Sequence, residues 1–262
     1  RGAGMEFAQY RAYEPGDEPR QIDWKLYARS DKFFVREAER DSPLTAWVLL
    51  DASASMAQTD AARPGWSRLS AGKAMAACVF ELACRQGDRF GLIAVNGSGL
   101  QVVNAGAGAK HRDACLWGLS QATAQGVWPS ESVCRPIWER IGANALALMI
   151  GDGFDDQALA LAERLAAARR ELFHIRILTA EERDFPFAGG QRFVDAETGA
   201  ELLTDAPASR DQYLQQFALA SRDLALRMAA SGIRHVETFL DRPLDEPLRQ
   251  LFGHSKRRGA EA

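Results

Sequence analysis

The sequence predicts an α/β fold: a mostly parallel sheet of about six strands with an antiparallel edge and with helices on both faces. Short apolar runs typical of buried strands alternate along the chain with longer segments that repeat apolar residues at helical spacing. Such alternation favours parallel strands joined by crossover helices. The chain has 262 residues, of which 47% are hydrophobic, so it is long enough to bury the core of one globular domain.

Strands are predicted where apolar runs are bounded by turn residues. They are residues 33–39, 44–50, 89–95, 145–150, 172–178 and 235–239. The turn signal Gly97-Ser98-Gly99 also separates two runs at 92–96 and 100–103. A short turn between adjacent runs predicts an antiparallel pair at the edge of the sheet.

Helices are predicted where apolar residues recur every three to four positions. They are residues 69–85, 112–124, 132–141, 156–170, 210–231 and 243–252. The clearest is 210–231, because Leu214, Phe217, Leu224 and Met228 fall on one face and Gly232 follows as a stop.

The chain is predicted to have three parts. Residues 1–43 form an N-terminal segment packed on the domain, 44–253 form the domain itself, and 254–262 form a disordered tail. Pro and Gly cluster at 62–65 and 186–190, where we expect surface loops rather than domain linkers.

Charge and composition exclude several classes of function. The 32 Lys and Arg residues nearly balance the 35 Asp and Glu residues, so the charge favours neither nucleic acid nor an anionic membrane as a partner. No apolar stretch approaches the roughly 18 residues that span a bilayer, and a cytoplasmic chain is expected. The sequence begins at Arg1 rather than Met, so we expect further residues upstream. Reduced thiols in or near the core are expected for Cys78, Cys84, Cys115 and Cys134, which form no C-x-x-C pair.

The most informative motif is Asp51-Ala52-Ser53-Ala54-Ser55, directly after the apolar run 47–50. It is predicted at the exposed carboxyl end of a strand, where open α/β sheets bind ligands. One carboxylate and two hydroxyls at alternate positions can direct three hard oxygens at one point, as Mg2+ prefers. The alternative is a Ser-rich turn in which Asp51 caps a helix.

The N-terminal segment interleaves arginines with carboxylates and aromatic residues. Such spacing suits fixed ion pairs with stacked guanidinium groups, or alternatively a solvated charged strip. The residues concerned are Glu6, Arg11, Tyr13, Gly16, Asp17, Arg20, Asp23, Trp24, Arg29, Arg36 and Glu37. In order, they resemble the signature of the bacterial domain of unknown function 58 family, E-F-x-x-x-R-x-Y-x-x-G-D-x-x-R-x-I-D-W with a later V-R-E.

This resemblance implies that a von Willebrand factor A-like domain follows the signature. Asp51, Ser53 and Ser55 would then be ligands of a metal-ion-dependent adhesion site for Mg2+ or Mn2+, and Asp152, after the apolar run 148–150, would complete it. The alternative for Asp152 is a Gly-Asp-Gly turn feeding a helix that Asp155 or Asp156 caps.

The family pattern also includes a threonine in the loop before the third helix. The loop taken to correspond is 104–110, which holds no threonine. Asn104 or water would have to replace it, or the site would be metal-free with Lys110 as its cation. Asn104, Lys110 and Asp155 are therefore candidate partner-binding residues.

Metal ligands without a neighbouring base suit the capture of a partner's carboxylate, so a non-catalytic protein-binding module is predicted, with no organic cofactor. The resemblance implies an adaptor or chaperone component that works with MoxR-type AAA+ ATPases. The rival is a metal-dependent hydrolase that uses Asp51 and Asp152 as ligands. That function would need a base, and no histidine accompanies the motifs; the four are His111, His174, His235 and His254.

Overall fold

The computed structural model describes residues 9–12, 29–30, 32–37 and 44–253. It divides the chain into two units, Arg1–Pro43 and Leu44–Ala262. In the first unit, strand β1 (Gln9–Ala12) pairs antiparallel with β2 (Phe34–Glu37), and Arg11 lies opposite Val35. The prediction that 33–39 belongs to the main sheet is therefore wrong, because β1 is the partner of this strand.

The second unit contains the remaining described elements. In chain order the strands are β3 (Thr45–Asp51), β4 (Thr59–Asp60), β5 (Arg63–Ser67), β6 (Arg89–Asn96), β7 (Gly99–Gly106), β8 (Leu146–Gly151), β9 (Glu171–Leu178), β10 (Gly190–Val194), β11 (Glu201–Asp205) and β12 (Arg234–Phe239). The helices are α1 (Arg68–Gln86), α2 (Ala109–Gln121), α3 (Glu131–Arg140), α4 (Asp156–Ala167), α5 (Ala180–Asp184), α6 (Ala206–Ala230) and α7 (Glu246–Phe252). A 3-10 turn spans Ala54–Ala57.

The main sheet has six strands in the order β12-β9-β8-β3-β6-β7. All neighbours are parallel except β6 and β7, which pair antiparallel at the edge. Numbered within the sheet, this is the doubly wound order, in which the chain starts at a central strand and winds outward both ways. It confirms the predicted von Willebrand A-like fold class, with β7 rather than 33–39 as the sixth strand.

Helices cover both faces of the sheet, as predicted. Alternate residues of β3 point to opposite faces: Val48 and Leu50 belong to one buried apolar cluster, and Trp47 and Leu49 to the other. Helices α1, α2 and α7 contribute to the first cluster, and α3, α4 and α6 to the second. Since β3 is buried on both faces, the polar residues that follow it lie at the edge of a rigid core.

Two hairpins lie at or directly after the predicted surface loops: β5 covers 63–65 of the first, and β10 begins at Gly190, where the second ends. Strands β4 and β5 pair across the turn at 61–62, and β10 pairs with β11 from Gly190–Asp205 to Val194–Glu201. Neither hairpin joins the main sheet. Helix α6 begins at Ala206, four residues before the predicted start, because Asp205 ends β11 directly before it.

The four cysteines are unpaired. Cys115 and Cys134 are buried, and burial raises their thiol pKa to about 12 and about 11. Cys78 is exposed, unlike the expectation for the group.

No helix among the described residues is both long and apolar enough to cross a bilayer.

Candidate functional site

Asp51 and Asp152 are brought together by the sheet. Strands β3 and β8 are parallel neighbours, with Leu50 paired to Ile150, so both strands end at the same edge. Asp51 is the last residue of β3, and Asp152 directly follows β8. Their exposed fractions are only 3% and 1%. The prediction that Asp51 is exposed is therefore wrong, because neighbouring loops and side chains cover this edge.

The two serines of the motif lie beside Asp51. The Ser53 amide donates to Asp51 Oδ1 over 2.8 Å, and the hydroxyls of Ser53 and Ser55 are 3.0 Å apart. The loop between α2 and α3 holds the motif through its backbone: the Ala54 amide donates to the Gly126 carbonyl. The motif is thus a fixed turn that presents hydroxyls, and Asp51 does not cap a helix.

Gly151 makes room for the Asp51 carboxylate. A Cβ atom at this position would lie 2.9 Å from Asp51 Cβ and 3.1 Å from Asp51 Oδ2. Because β3 and β8 are adjacent, only a residue without a side chain leaves this space. The glycine before Asp152 is therefore explained by packing against the other carboxylate.

Two buried carboxylates next to each other disfavour full ionisation. The pKa of Asp51 rises to about 7, first because burial removes its hydration and second because Asp152 is close. The backbone and side chain of Ser53 partly offset this by hydrogen bonding, and Glu197 adds a smaller repulsion. No described residue forms an ion pair with Asp51, so no cation of the described chain stabilises its ionised form directly.

Arg68 supplies the buried cation at this edge. It is the first residue of α1 and is 3% exposed. Its Nη1 donates to Asp152 Oδ2 over 3.0 Å and to the Ser55 carbonyl over 3.3 Å, while Nη2 pairs with Glu182. Sequence reasoning missed Arg68, because nothing in its local sequence separates it from the other arginines.

A second arginine fixes the backbone of Asp152. Arg176 Nε, from β9, donates to the Asp152 carbonyl over 2.9 Å, and its Nη1 pairs with Glu237 over 2.9 Å. The Phe154 ring lies against both guanidinium groups, 5.5 Å from Arg68 and 5.0 Å from Arg176. Arg68 therefore holds the carboxylate of Asp152 and Arg176 holds its carbonyl, so this residue has little freedom to move.

Glu197 approaches the motif from the tip of the β10–β11 hairpin. Burial raises its pKa, while hydrogen bonding from the Ser55 and Ser53 hydroxyls lowers it in part. The tip is shaped by Asp195 Oδ1, which accepts from the amides of Glu197 and Thr198 over 2.8 and 2.9 Å. The sequence prediction missed this glutamate, since 142 residues separate it from Ser55 along the chain.

A cleft of about 1040 Å³ adjoins this edge, between the hairpin and helices α5 and α6. Ser55, Arg68 and Glu197 lie at its polar end. Four aromatic residues, Phe185, Phe187, Phe193 and Tyr213, form part of its wall, with polar residues such as Glu181 and Gln212 between them. The cleft therefore joins an apolar surface to the charged motif.

Asn104, near the end of β7, and Lys110, after it, lie toward the amino ends of the parallel strands, whereas Asp51 lies at their carboxyl ends. Strand β7 runs antiparallel to β6, so Gly99 lies opposite Asn96 near the motif, while Gly106 lies opposite Phe90 at the far end. Their predicted part in this site is wrong for that reason.

The loop that borders the motif is 122–130. It contains Thr123, whose carbonyl accepts from Asn96 Nδ2 and whose side chain is exposed. Asp155 caps α4, accepting from the Gln157 and Ala158 amides, and it also lines the cleft.

Most of the N-terminal signature lies outside the described residues, namely Glu6, Tyr13, Gly16, Asp17, Arg20, Asp23 and Trp24. Arg11 lies in β1, Arg36 and Glu37 lie in β2, and Arg29 is exposed. The predicted ion-pair network stays a prediction.

None of the described histidines lies at this edge. His174 and His235 pair with each other through Nδ1 atoms 3.1 Å apart on β9 and β12. His111 Nε2 contacts the Phe90 carbonyl at the far edge of the sheet, and His254 is outside the described residues. A carboxylate that lines the cleft at this edge is Glu197.

The doubly wound sheet and the acidic, hydroxyl-bearing edge define a von Willebrand A-like domain. The family described as Protein of unknown function DUF58 matches residues 9–223. The chain therefore belongs to this family, as its N-terminal signature predicted.

Proteins described as uncharacterized from Mycobacterium tuberculosis (strain H37Rv) and Mycobacterium bovis are similar to this chain. Each is 30% identical over 272 residues, covering 100% of this chain and 82% of the relative.

Solved structures with a similar chain path include the conserved hypothetical protein BatB from Bacteroides thetaiotaomicron. It is 13% identical with a TM-score of 0.45, over 79% of this chain and 98% of that one. An aerotolerance-related membrane protein from Bacteroides fragilis is 15% identical with a TM-score of 0.48, over 79% and 97%. The SpRpn10 VWA domain is 13% identical with a TM-score of 0.45, over 80% and 95%.

Proposed function

We propose that this chain is a non-catalytic protein-binding module that captures a partner's carboxylate at the Asp51 edge through a divalent cation, Mg2+ or Mn2+. The observation that carries the proposal is the convergence of Asp51, Ser53, Ser55 and Asp152 at one edge of the sheet. All four offer oxygen, the donor that hard divalent cations prefer.

The residues fit such a cation by charge as well as by donor type. Asp51 has no cationic partner among the described residues, and Arg68 is shared between Asp152 and Glu182. The described part of the chain has no group of three or more His, Cys, Asp or Glu side chains placed to hold a metal. Serine hydroxyls would therefore be needed among the ligands. When bound, the cation would supply an open coordination position for a partner's carboxylate.

The partner proposed is a MoxR-type AAA+ ATPase, for which this chain would act as an adaptor or chaperone component. This part of the proposal rests on the family resemblance. The cleft beside the motif supports a protein rather than a small anion as the ligand, because its aromatic walls can take apolar side chains next to a carboxylate.

The test is binding of the Asp51→Ala variant to the purified ATPase in the presence of Mg2+. We expect binding at least tenfold weaker, about 1.4 kcal/mol, with stability unchanged or slightly raised because repulsion with Asp152 is relieved. Asp51→Asn is the second variant, since it keeps the side-chain volume. Asp223→Ala removes an exposed carboxylate on α6 and is the matched control. Equal binding by wild type and Asp51→Ala would place the interaction elsewhere.

A metal-dependent hydrolase is the second candidate, and Glu197 is the observation that favours it. It lines the same cleft as Ser55, and burial raises its pKa, as a general base can require. Hydrolysis of phosphate or carboxylate esters with Mg2+ present, abolished by both Asp51→Asn and Glu197→Gln, would support this function. If no turnover is detected, the hydrolase is rejected and the binding module remains as the proposed function.

A further inference from the structure

The cleft between the β10–β11 hairpin and helices α5 and α6 presents apolar side chains to solvent. Phe154, Val194 and Leu202 line it, and each is more than half exposed. Exposed apolar side chains gathered in one concave surface are typical of a binding site. The volume of about 1040 Å³ is at the upper end of the roughly 300 to 1000 Å³ that small-molecule sites occupy. The cleft therefore has room for a short segment of polypeptide.

Aromatic rings give the cleft a fixed wall. The ring centroids of Phe187 and Phe193 are 5.1 Å apart, and they lie 5.1 and 5.8 Å from the centroid of Phe185, which is buried. The Tyr213 ring lies 4.4 Å from Phe185 on the side of α6. Rings that pack on one another in this way lose little freedom when a ligand arrives. Their faces attract cations as well as apolar groups.

The charged side chains that line the cleft are mainly carboxylates. The two arginines among the lining residues are already engaged, since Arg68 is buried against Asp152 and Glu182, and Arg192 pairs with Glu201 over 3.4 Å. An incoming ligand therefore meets a surface of negative charge. The carboxylates that line the cleft belong to Asp155, Glu181, Glu182, Asp195 and Glu197.

We propose that this cleft binds a segment of a protein partner in which lysine or arginine stands next to apolar residues. The apolar side chains would pack on Phe154, Val194 and Leu202, while the cationic ones would meet the carboxylates and the ring faces. An acidic segment is disfavoured, because like charges repel across an interface. This interaction needs no metal ion, so it goes beyond the proposed capture of a carboxylate at the Asp51 edge and does not depend on it.

The experiment is titration of two fluorescently labelled octapeptides with the metal-free protein, followed by fluorescence anisotropy. One peptide alternates lysine with leucine, and the other alternates glutamate with leucine. We expect the lysine peptide to bind at least about tenfold more tightly than the glutamate peptide at low salt. Added salt should weaken the binding of the lysine peptide, because it screens the carboxylates.

Two adjacent leucines of β11 provide matched variants. Leu202 lines the cleft, whereas Leu203 lies outside its lining, and both are exposed, so neither substitution removes a core residue. We expect Leu202→Ser to weaken binding of the lysine peptide about tenfold, because an apolar contact is lost. Leu203→Ser should bind this peptide as the wild type does.

A second pair of variants tests the charge. Glu181→Gln removes a carboxylate from the lining of the cleft and should weaken binding of the lysine peptide about threefold. Glu139→Gln removes an exposed carboxylate on α3, outside the cleft, and should leave the affinity unchanged.

The inference fails if the lysine peptide does not bind, if the glutamate peptide binds as tightly, or if Leu202→Ser and Leu203→Ser behave alike. It also fails if the protein forms a dimer in sedimentation that Leu202→Ser abolishes, because a second copy would then occupy the cleft. None of these results decides the proposed function, which depends on whether Asp51→Ala loses its partner in the presence of Mg2+.

Discussion

Arg68 shows how much of this site depends on one side chain. It is buried and contacts three groups, the Asp152 carboxylate, the Ser55 carbonyl and Glu182. A buried ion pair adds little net stability over an apolar replacement of both partners, but the loss of one partner leaves the other charge buried and unpaired. Arg68 is therefore expected to matter more for stability than the exposed arginines.

The Arg68→Met variant should be less stable by about 3 to 5 kcal/mol, because Asp152 would remain buried without its partner. Urea denaturation followed by circular dichroism measures this. Arg85→Met is the matched control: Arg85 forms an exposed i,i+4 pair with Glu81, so we expect a loss of at most about 1 kcal/mol. Equal losses in the two variants would mean that Asp152 does not need its guanidinium partner.

At the same scale, the sequence predicted Asp51, Ser53, Ser55 and Asp152 because each follows a recognisable apolar strand. Arg68 and Glu197 were missed because they reach the site through long-range contacts. Short-range patterns report where a strand ends, but they do not report which distant side chain lies against that end.

Among the elements, the β10–β11 hairpin depends on aromatic packing. Two short strands on their own are marginally stable in water. The centroid of the Phe193 ring lies 5.8 Å from that of Phe185 and 5.1 Å from that of Phe187. The Phe185 ring in turn lies 4.4 Å from Tyr213 of α6, tilted by 30°. These rings attach the hairpin to the body of the unit and so position Glu197.

Phe193→Ala should loosen the hairpin without unfolding the unit. We expect amide exchange in residues 190–205 to become about tenfold faster, which corresponds to a loss of about 1.4 kcal/mol in the local opening free energy. Exchange in β8 should not change. Val194→Ala is the control, since Val194 is the next residue and is 53% exposed. Faster exchange in both variants would mean that the ladder, rather than the rings, holds the hairpin.

Helices were easier to predict than hairpins for a physical reason. Each main helix buries one face against the sheet, so its apolar spacing is visible in the sequence; Leu224 and Met228 of α6 are buried as expected. Strands β10 and β11 are covered only in part, and Leu202 and Leu203 are 63% and 75% exposed. Their pattern does not separate a strand from a loop, and no element was predicted between 191 and 205.

For the whole molecule, the direction of one strand decided which loops meet. The parallel strands were predictable because their apolar runs are buried on both faces, as Leu49 and Leu50 of β3 show. The long edge strand β7 turns back, and this carries the loop at 106–108 away from the motif. The error over Asn104 and Lys110 was therefore one of topology rather than of residue chemistry.

A cation at the Asp51 edge should stabilise the whole second unit, because the free energy of binding adds to that of folding. At a Mg2+ concentration ten times the dissociation constant, the gain is about 1.4 kcal/mol. In a protein of this size each kcal/mol raises the melting temperature by roughly 2 to 4 °C. We therefore expect 10 mM Mg2+ to raise the melting temperature by about 3 to 6 °C, if the dissociation constant is near 1 mM.

The control for this shift is the Asp51→Asn variant, which keeps the side-chain volume but loses the charged ligand. In the metal-free state, Asp51→Asn should melt at or above the wild-type temperature, because repulsion between Asp51 and Asp152 is removed. Added Mg2+ should then leave its melting temperature unchanged. The wild type and the variant should therefore approach each other, or cross, as Mg2+ is added. A wild-type melting temperature indifferent to 10 mM Mg2+ would mean that Asp51 and Asp152 coexist through Arg68 and partial protonation alone, and that the polar groups of this edge bind any partner directly.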